Sequence, residues 1–499
     1  MRSPKGKGRS RGYTRRGFLR TMGRAAGAMA LVSGGAMVAA AGDAAPARAG
    51  SGPGRKNVLL LAVDDLNSWL LGDPNRYTGK VIAPNLRRLA DSGVLFTQAF
   101  APAPKCSPSR TAFLSGVAPW KSGVTENGLV IDGSPALEGK PSLPGLLAAH
   151  GYYTASFGKI SHGYDGHTAW DAHTPHKRDP RPPGAMLNGL SKNVTENDWG
   201  PTHLDESQMN DTKYADLAIE QLGRTHDRPF FLACGVFHPH LPWYVPQTYL
   251  DMYPLDEIKA PVVNPDDPDD IPEPGRKLIK GTYQKVVDAG QYTRALQGYL
   301  ASTTYADAQM GRVLDALEAS PYRDNTIVVL LSDHGFHLGE KTHWTKGTLW
   351  EEATHCLLMV RAPGVTRPRQ TCARTVSLLD IYPTLVDLIG LPRPDHLDGH
   401  SLVPQLKNPE ASRAAPAISA YQTHISVRTE RYRYIRYADG TDELYDRSAD
   451  PREWKNLASD PAYADARREL ANALPTPQAV APMRPRKTRG NKKDGRKAT

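Results

Sequence analysis

Four runs of apolar residues, each closed by a charged residue or a histidine, set the pattern of this chain. Asn57-Val-Leu-Leu-Leu-Ala-Val63 ends at Asp64-Asp65, and Tyr152–Phe157 runs into Gly158-Lys159. Phe230–Phe237 runs into His238-Pro239-His240, and Thr326–Ser332 into Asp333-His334-Gly335. Apolar runs without alternation predict strands buried on both faces of a parallel sheet. Helical patterns lie between them. In Pro84–Gly93 the proline suits a first turn, Leu86, Leu89 and Ala90 share one face, and Gly93 stops the helix. A longer helical stretch covers Gln297 to Ala319. Strands alternating with helices predict an α/β fold with a large, mostly parallel central sheet flanked by helices. Open sheets of this kind place ligands beyond the carboxyl ends of their strands, where the four polar closures fall.

From about Ser401 the texture changes. Ile425–Arg428, Tyr432–Tyr437 and Glu443–Tyr445 read as short strands, with a turn at Asp439-Gly440. We expect a main α/β domain over 50–400 and a smaller C-terminal antiparallel sheet subdomain over 401–475. The Pro/Asp-rich stretch Pro261–Pro274 reads as a loop. No internal repeat is visible.

The net charge of +10 suggests nucleic acid until it is mapped along the chain. Residues 1–24 contribute +9 and residues 484–499 contribute +7, which leaves a body of −6. A mildly acidic body without a readout motif excludes nucleic-acid binding, and the 476–499 segment reads as a basic, disordered tail. Residues 1–49 read as a leader. Thr14-Arg15-Arg16-Gly17-Phe18-Leu19-Arg20 resembles a twin-arginine export motif, Ala25–Gly42 is uncharged, and Ala47-Arg48-Ala49 fits a cleavage site. That uncharged run is short and weakly apolar for a membrane span, which needs about 20 apolar residues. The expected location is therefore periplasmic or extracellular, reached through the twin-arginine machinery, with no membrane span.

Four cysteines make no disulfide framework in 499 residues. Cys234 sits in an apolar run and reads as core, while pairing of Cys356 with Cys372 after export stays open. Cys106 differs in kind. Cys106-Ser107-Pro108-Ser109-Arg110 matches the pattern Cys-x-Pro-x-Arg. Asp64-Asp65, Gly158-Lys159-Ile160-Ser161-His162, Pro239-His240, Asp333-His334-Gly335 and Lys346 accompany it in a fixed order. In this set, and in Asp380–Thr384 and Leu444–Asp446, the chain resembles the formylglycine-dependent sulfatases of the alkaline phosphatase superfamily. Within them it is most similar to the iduronate-2-sulfatase branch, over roughly residues 56–460.

The resemblance implies a hydrolase of sulfate esters, of sugars above all, whose nucleophile is formylglycine made from Cys106 by a formylglycine-generating enzyme. It implies one calcium ion held by Asp64, Asp65, Asp333 and His334, with residue 106 as a further ligand. It also implies that Arg110 holds the hydrated aldehyde, that Lys159 and Lys346 grip sulfate, that His162 is a base and that His240 is a donor toward the substrate or leaving group. The chemistry accords with this set: a sulfate ester repels nucleophiles, and a hard cation among carboxylates supplies positive charge. One departure is visible, since Phe237-His238-Pro239-His240 stands where the family often has His-Lys-Pro-His. Retention of Pro-His favours His240, and His238 remains open. The alternatives are a choline sulfatase, a phosphonate or phosphate-ester hydrolase of the same superfamily, and a glycan-binding protein that has lost catalysis.

Overall fold

The structure is a computed structural model. It describes residues 55–475 except 74, 130, 163–169, 185, 189, 191–196 and 414. The leader and the basic tail read from the sequence lie outside the described residues.

The central sheet contains β1 (Asn57–Val63), β2 (Val94–Phe100), β3 (Tyr153–Gly158), β4 (Ala172–Pro175), β5 (Phe230–Val236), β6 (Thr326–Ser332), β7 (His355–Arg361) and β8 (Gln370–Cys372). Their order across the sheet is β8-β2-β7-β6-β1-β5-β3-β4. The pairings are parallel, except that β7 runs antiparallel to both β2 and β6. The helices that matter below are α1 (Pro84–Asp91), α2 (Cys106–Ser115), α3 (Asn210–Leu222), α4 (Tyr292–Ala319) and α5 (Ile381–Ile389).

Two cores explain why the strand sequences do not alternate. Leu59 and Leu61 of β1 face one layer with Leu86 of α1, Ala215 of α3 and Met310 of α4. Val58 and Leu60 face the other, with Phe113 of α2 and Leu385 of α5. Both sides of each central strand are covered, so every position is apolar. Cys234 lies in the first core, as expected. Cys356 and Cys372 are separate thiols. Their sulfurs contact the Ala99 and Pro409 carbonyls respectively.

A second, antiparallel sheet has the order β9 (Ala417–Tyr421), β10 (His424–Arg428), β11 (Tyr432–Arg436), β12 (Asp442–Asp446). Its first strand has no clear sequence signal. The sheet is fastened beside the start of α2: the Ala420 N–H donates to the Pro102 carbonyl at 2.9 Å, and Ser419 Oγ to the Ala101 carbonyl at 2.6 Å. The Pro261–Pro274 stretch is not simply a loop. Asp267–Asp270 forms a 3-10 turn and Glu273–Arg276 a single helical turn, with Asp267 buried and paired to Lys341 at 2.7 Å.

Candidate active site

The strand ends supply the site's charged groups. β1 and β6 are in register, with Val63 opposite Ser332, so Asp64 and Asp333 emerge side by side. Asp65 takes a left-handed backbone (φ 59°), a conformation an aspartate tolerates better than most residues. Tyr299 on α4 braces this turn: its hydroxyl donates to the Asp65 carbonyl at 2.9 Å and accepts from the Asn67 N–H at 2.8 Å. The Asp65 N–H donates to Asp333 Oδ1 at 3.2 Å.

Cys106 is the first residue of α2, and Ser109 in the same turn donates its hydroxyl to the Asp333 carbonyl at 2.5 Å. On β3 and β5, Gly158 and Gly235 let two strand ends approach closely. A Cβ on Gly158 would lie 2.0 Å from the Gly235 carbonyl oxygen, and one on Gly235 would lie 2.1 Å from the Lys159 carbonyl oxygen. That approach brings Lys159 under the end of β1.

The four elements converge on one buried cluster. Ligand atoms of Asp64, Cys106, Asp333 and His334 lie within 4.8 Å of one another, as do those of Asp64, Asp65, Cys106 and His240. Cys106 Sγ is 3.2 Å from Lys346 Nζ, 3.3 Å from His334 Nε2 and 3.8 Å from Lys159 Nζ. Arg110, with no exposed surface, donates from Nε to Asp333 Oδ2 at 2.8 Å and from Nη2 to Asp64 Oδ1 at 3.1 Å. It also donates to the Lys159 carbonyl. Lys159 pairs with Asp64 and Lys346 with Asp65.

These residues suit a hard cation. Three carboxylates offer oxygen donors. His334 uses Nδ1–H toward the Gly335 carbonyl at 2.9 Å, which leaves the Nε2 lone pair facing the cluster. Burial works to raise the Asp64 pKa, but Lys159 and Arg110 outweigh it and hold the carboxylate well below its ordinary range. For Asp65 burial prevails over Lys346, and the pKa is raised. Burial, with Asp64 beside it, pushes the Cys106 thiol up to about 12.

Above the cluster opens a cleft of about 660 Å³. Lys159, His162, His240 and Lys346 line it, and so do residues the motifs did not flag: Lys105, Asn127, His176, Arg178 and Lys280. The segment around β4 sends His173, Pro175, His176 and Arg178 to the cleft. From Pro261–Pro274 no residue lines it among those described; Lys280 and Thr282 do so just downstream.

Two of the imidazoles facing the cleft, His162 and His240, are held neutral. Burial first, then Lys159, brings His162 down to about 4. Burial, then Lys346 and Lys159, keeps His240 well below its usual value. His238 is different: Nδ1–H donates to Asp211 Oδ2 at 2.7 Å and Nε2–H contacts the Tyr244 carbonyl at 3.3 Å. Burial opposes its charge, yet the Asp211 contact raises its pKa. It does not line the cleft, so of the two candidates His240 is the one that reaches it.

The profile described as "Sulfatase" matches residues 56–391, and "N-sulphoglucosamine sulphohydrolase, C-terminal" matches residues 339–479. A protein named sulfatase from Formosa agariphila is 35% identical, covering 85% of this chain and 87% of its own. A choline-sulfatase from Rhizobium meliloti is 30% identical, covering 82% and 83%. Mouse iduronate 2-sulfatase is 30% identical, covering 68% and 69%. Among solved structures, a phosphonate monoester hydrolase from Silicibacter pomeroyi superposes with a TM-score of 0.70 at 22% identity, over 84% of this chain and 94% of that one.

Proposed function

The chain belongs to the sulfatase family of sulfuric ester hydrolases, and on that premise we propose that it hydrolyses sulfated sugars using formylglycine at position 106 and one calcium ion. One observation carries this reading. Residue 106 lies at the centre of two ammonium groups, a histidine nitrogen and a carboxylate cradle, buried beneath a polar cleft.

Asp64, Asp65, Asp333 and His334 would hold the cation, with residue 106 as a further ligand. When bound, calcium supplies positive charge for the sulfate oxygens and acidifies a coordinated hydroxyl. A hydrated aldehyde at residue 106 would supply one hydroxyl to attack sulfur as the ester alcohol leaves, and a second whose deprotonation would expel sulfate and restore the aldehyde.

The remaining work falls to the side chains. Arg110 is clamped by Asp64, Asp333 and two backbone carbonyls, so it fixes the cradle and holds residue 106 in place. Lys159 and Lys346 present ammonium groups where negative charge grows on the sulfate. His162, neutral above about pH 4, accepts the proton from the second hydroxyl. His240 has Nδ1–H bound to the Leu241 carbonyl at 2.5 Å, so its Nε2 is an acceptor in the neutral ring. Donation to a leaving group needs a second proton, which burial, Lys346 and Lys159 oppose. Accepting a hydrogen bond from a sugar hydroxyl is the role this tautomer supports.

The leader motif at Thr14–Arg20 supports export of the folded, already modified protein, which would be matured by a formylglycine-generating enzyme before it leaves. No helix among the described residues is long and apolar enough to cross a membrane.

Turnover of a panel of sulfated sugars, an aryl sulfate, choline sulfate and a phosphonate monoester, read as inorganic sulfate released from the sulfate esters and as alcohol released from the phosphonate, tests the reading. Calcium-dependent turnover highest on a sulfated sugar is expected. Preference for the phosphonate or for choline sulfate would overturn the sugar assignment.

A further inference from the structure

The cleft holds more positive charge than one sulfate group requires. Lys159 and Lys346 are each paired with a carboxylate of the cradle. Lys105 and Lys280 line the same cleft, and among the described residues neither has a carboxylate within ion-pair distance. Among the described residues the one carboxylate lining the cleft is Asp65, already engaged by Lys346. Lys105 precedes the nucleophile position. A Cβ on Gly347, the neighbour of Lys346, would lie 2.8 Å from Lys105 Cε and 3.2 Å from its Nζ. The Lys105 ammonium is therefore packed across the Lys346–Gly347 backbone, with the Tyr421 ring of the small sheet 5.7 Å away. Glu126, the acidic group nearby, acts on both Lys105 and the Tyr421 hydroxyl without forming an ion pair with Lys105.

Resting on the sulfatase reading above, we propose that Lys105 and Lys280 form a second anion subsite beside the reacting centre. The substrate then carries, besides the sulfate that reacts, another negative group: a carboxylate or a second sulfate. Two lysines lining one cleft, neither paired with a carboxylate among the described residues, repel each other, and a bound anion relieves that repulsion. The same charges exclude a quaternary ammonium. The Phe237 ring, an aromatic wall of the cleft, already has Lys159 Nζ 5.0 Å and the Arg178 guanidinium 5.5 Å from its centroid. His176 and His240 stack on it at 4.7 and 4.5 Å. No free aromatic face remains there for a choline headgroup.

The test compares kcat/KM for three sugar sulfates: a monosulfated neutral hexose, a monosulfated uronic acid and a disulfated hexosamine. In the wild type, one or both dianions should exceed the neutral sugar by at least about tenfold. Whichever dianion leads identifies the second group as carboxylate or sulfate. The advantage should collapse toward unity in Lys105→Gln and Lys280→Gln and persist in the Lys→Arg versions. Lys280 is exposed, so its variants test the idea even where Lys105→Gln fails to fold. Equal kcat/KM for neutral and dianionic sugars, or an advantage untouched by both glutamine variants, overturns the proposal while leaving the sulfatase reading intact. Absence of any sulfate release removes the sulfatase reading instead. The subsite is then read by calorimetry of the same three sugars on calcium-loaded Cys106→Ala protein, where equal affinities overturn it and tighter dianion binding lost in Lys280→Gln supports it.

Discussion

Asp333 serves two neighbours with one carboxylate. Oδ2 accepts from Arg110 and Oδ1 from the Asp65 N–H, both in a fully buried setting. Replacing it therefore removes more than a metal ligand. Asp333→Asn keeps an acceptor of the same shape, and its expected effect is a loss of calcium affinity and of turnover by at least about 100-fold with the fold retained. Asp333→Ala strips one partner from a buried guanidinium and should cost roughly 3–5 kcal/mol of stability besides, read by urea unfolding. His162 gives a second prediction. Because burial and Lys159 lower its pKa, it is neutral and able to take a proton down to about pH 4, so kcat should fall as pH drops through that value. His162→Ala should release about one equivalent of alcohol per site in rapid quench and then stop. Steady turnover in that variant would remove the assigned role. At this scale the sequence was legible where residue types recur at fixed spacing, as in Cys106 to Arg110. It favoured His240 over His238 without closing the choice, because His238 is drawn away by Asp211, 27 positions before it and on another element. Lys105, His176, Arg178 and Lys280 were missed because single cations and imidazoles in loops carry no periodic signal. The tautomer of His240 likewise follows from a backbone carbonyl that no motif encodes.

Among the elements, the strand ends do most to shape the site, and the paired glycines of β3 and β5 show how. Gly158 has φ +79°, and a side chain there meets the Gly235 carbonyl and the Tyr214 ring. Gly158→Ala should be destabilising by at least about 1–3 kcal/mol. The same change displaces Lys159, whose carbonyl holds Arg110 and whose ammonium holds Asp64, so KM should rise as well. Thermal unfolding together with sulfate-release kinetics checks both; a variant with wild-type stability and KM would mean that the strand ends need not approach. Strands β1, β5 and β6 were readable because both faces are buried, which makes their sequences continuously apolar. β2 was not, since Leu95, Thr97 and Gln98 are only half-buried and break the run. β7, with Cys-Leu-Leu-Met-Val at its centre, is too short for periodicity to separate strand from helix, and its antiparallel direction is set by neighbours distant in sequence. α4 begins at Tyr292, ahead of the expected Gln297, through a polar turn that packing of Ala295 and Leu296 recruits.

Across the whole molecule, buried charge joins the small sheet to the large one. Glu351, just before β7, receives Arg428 and Arg433 from the small sheet, with Arg447 at 3.2 Å and Arg76 at 3.6 Å. Burial opposes the ionised form, but these guanidinium groups hold the Glu351 pKa well below its ordinary value. Its contribution is thus present above the ordinary glutamate range and is lost as pH falls through the lowered folded value. Glu351→Ala leaves several buried guanidiniums short of a carboxylate and should cost roughly 3–5 kcal/mol. Activity should fall with it, because β9 is bonded to the Ala101–Pro102 segment that leads into Cys106. Denaturant unfolding followed in parallel with turnover measures this coupling. Net charge was a poor guide at this scale: a body of −6 encloses a cationic cleft, because the carboxylates lie mostly elsewhere on the surface or within buried pairs.

The identity of residue 106 in working protein decides more than any other observation. Protein made beside a maturation enzyme should be assayed on a sulfated sugar, digested, and the peptide spanning residues 101–110 weighed. The expected result is an aldehyde in place of the thiol at position 106, with turnover rising in proportion to the aldehyde fraction across preparations. Full activity from protein whose residue 106 is entirely unmodified cysteine would contradict the account.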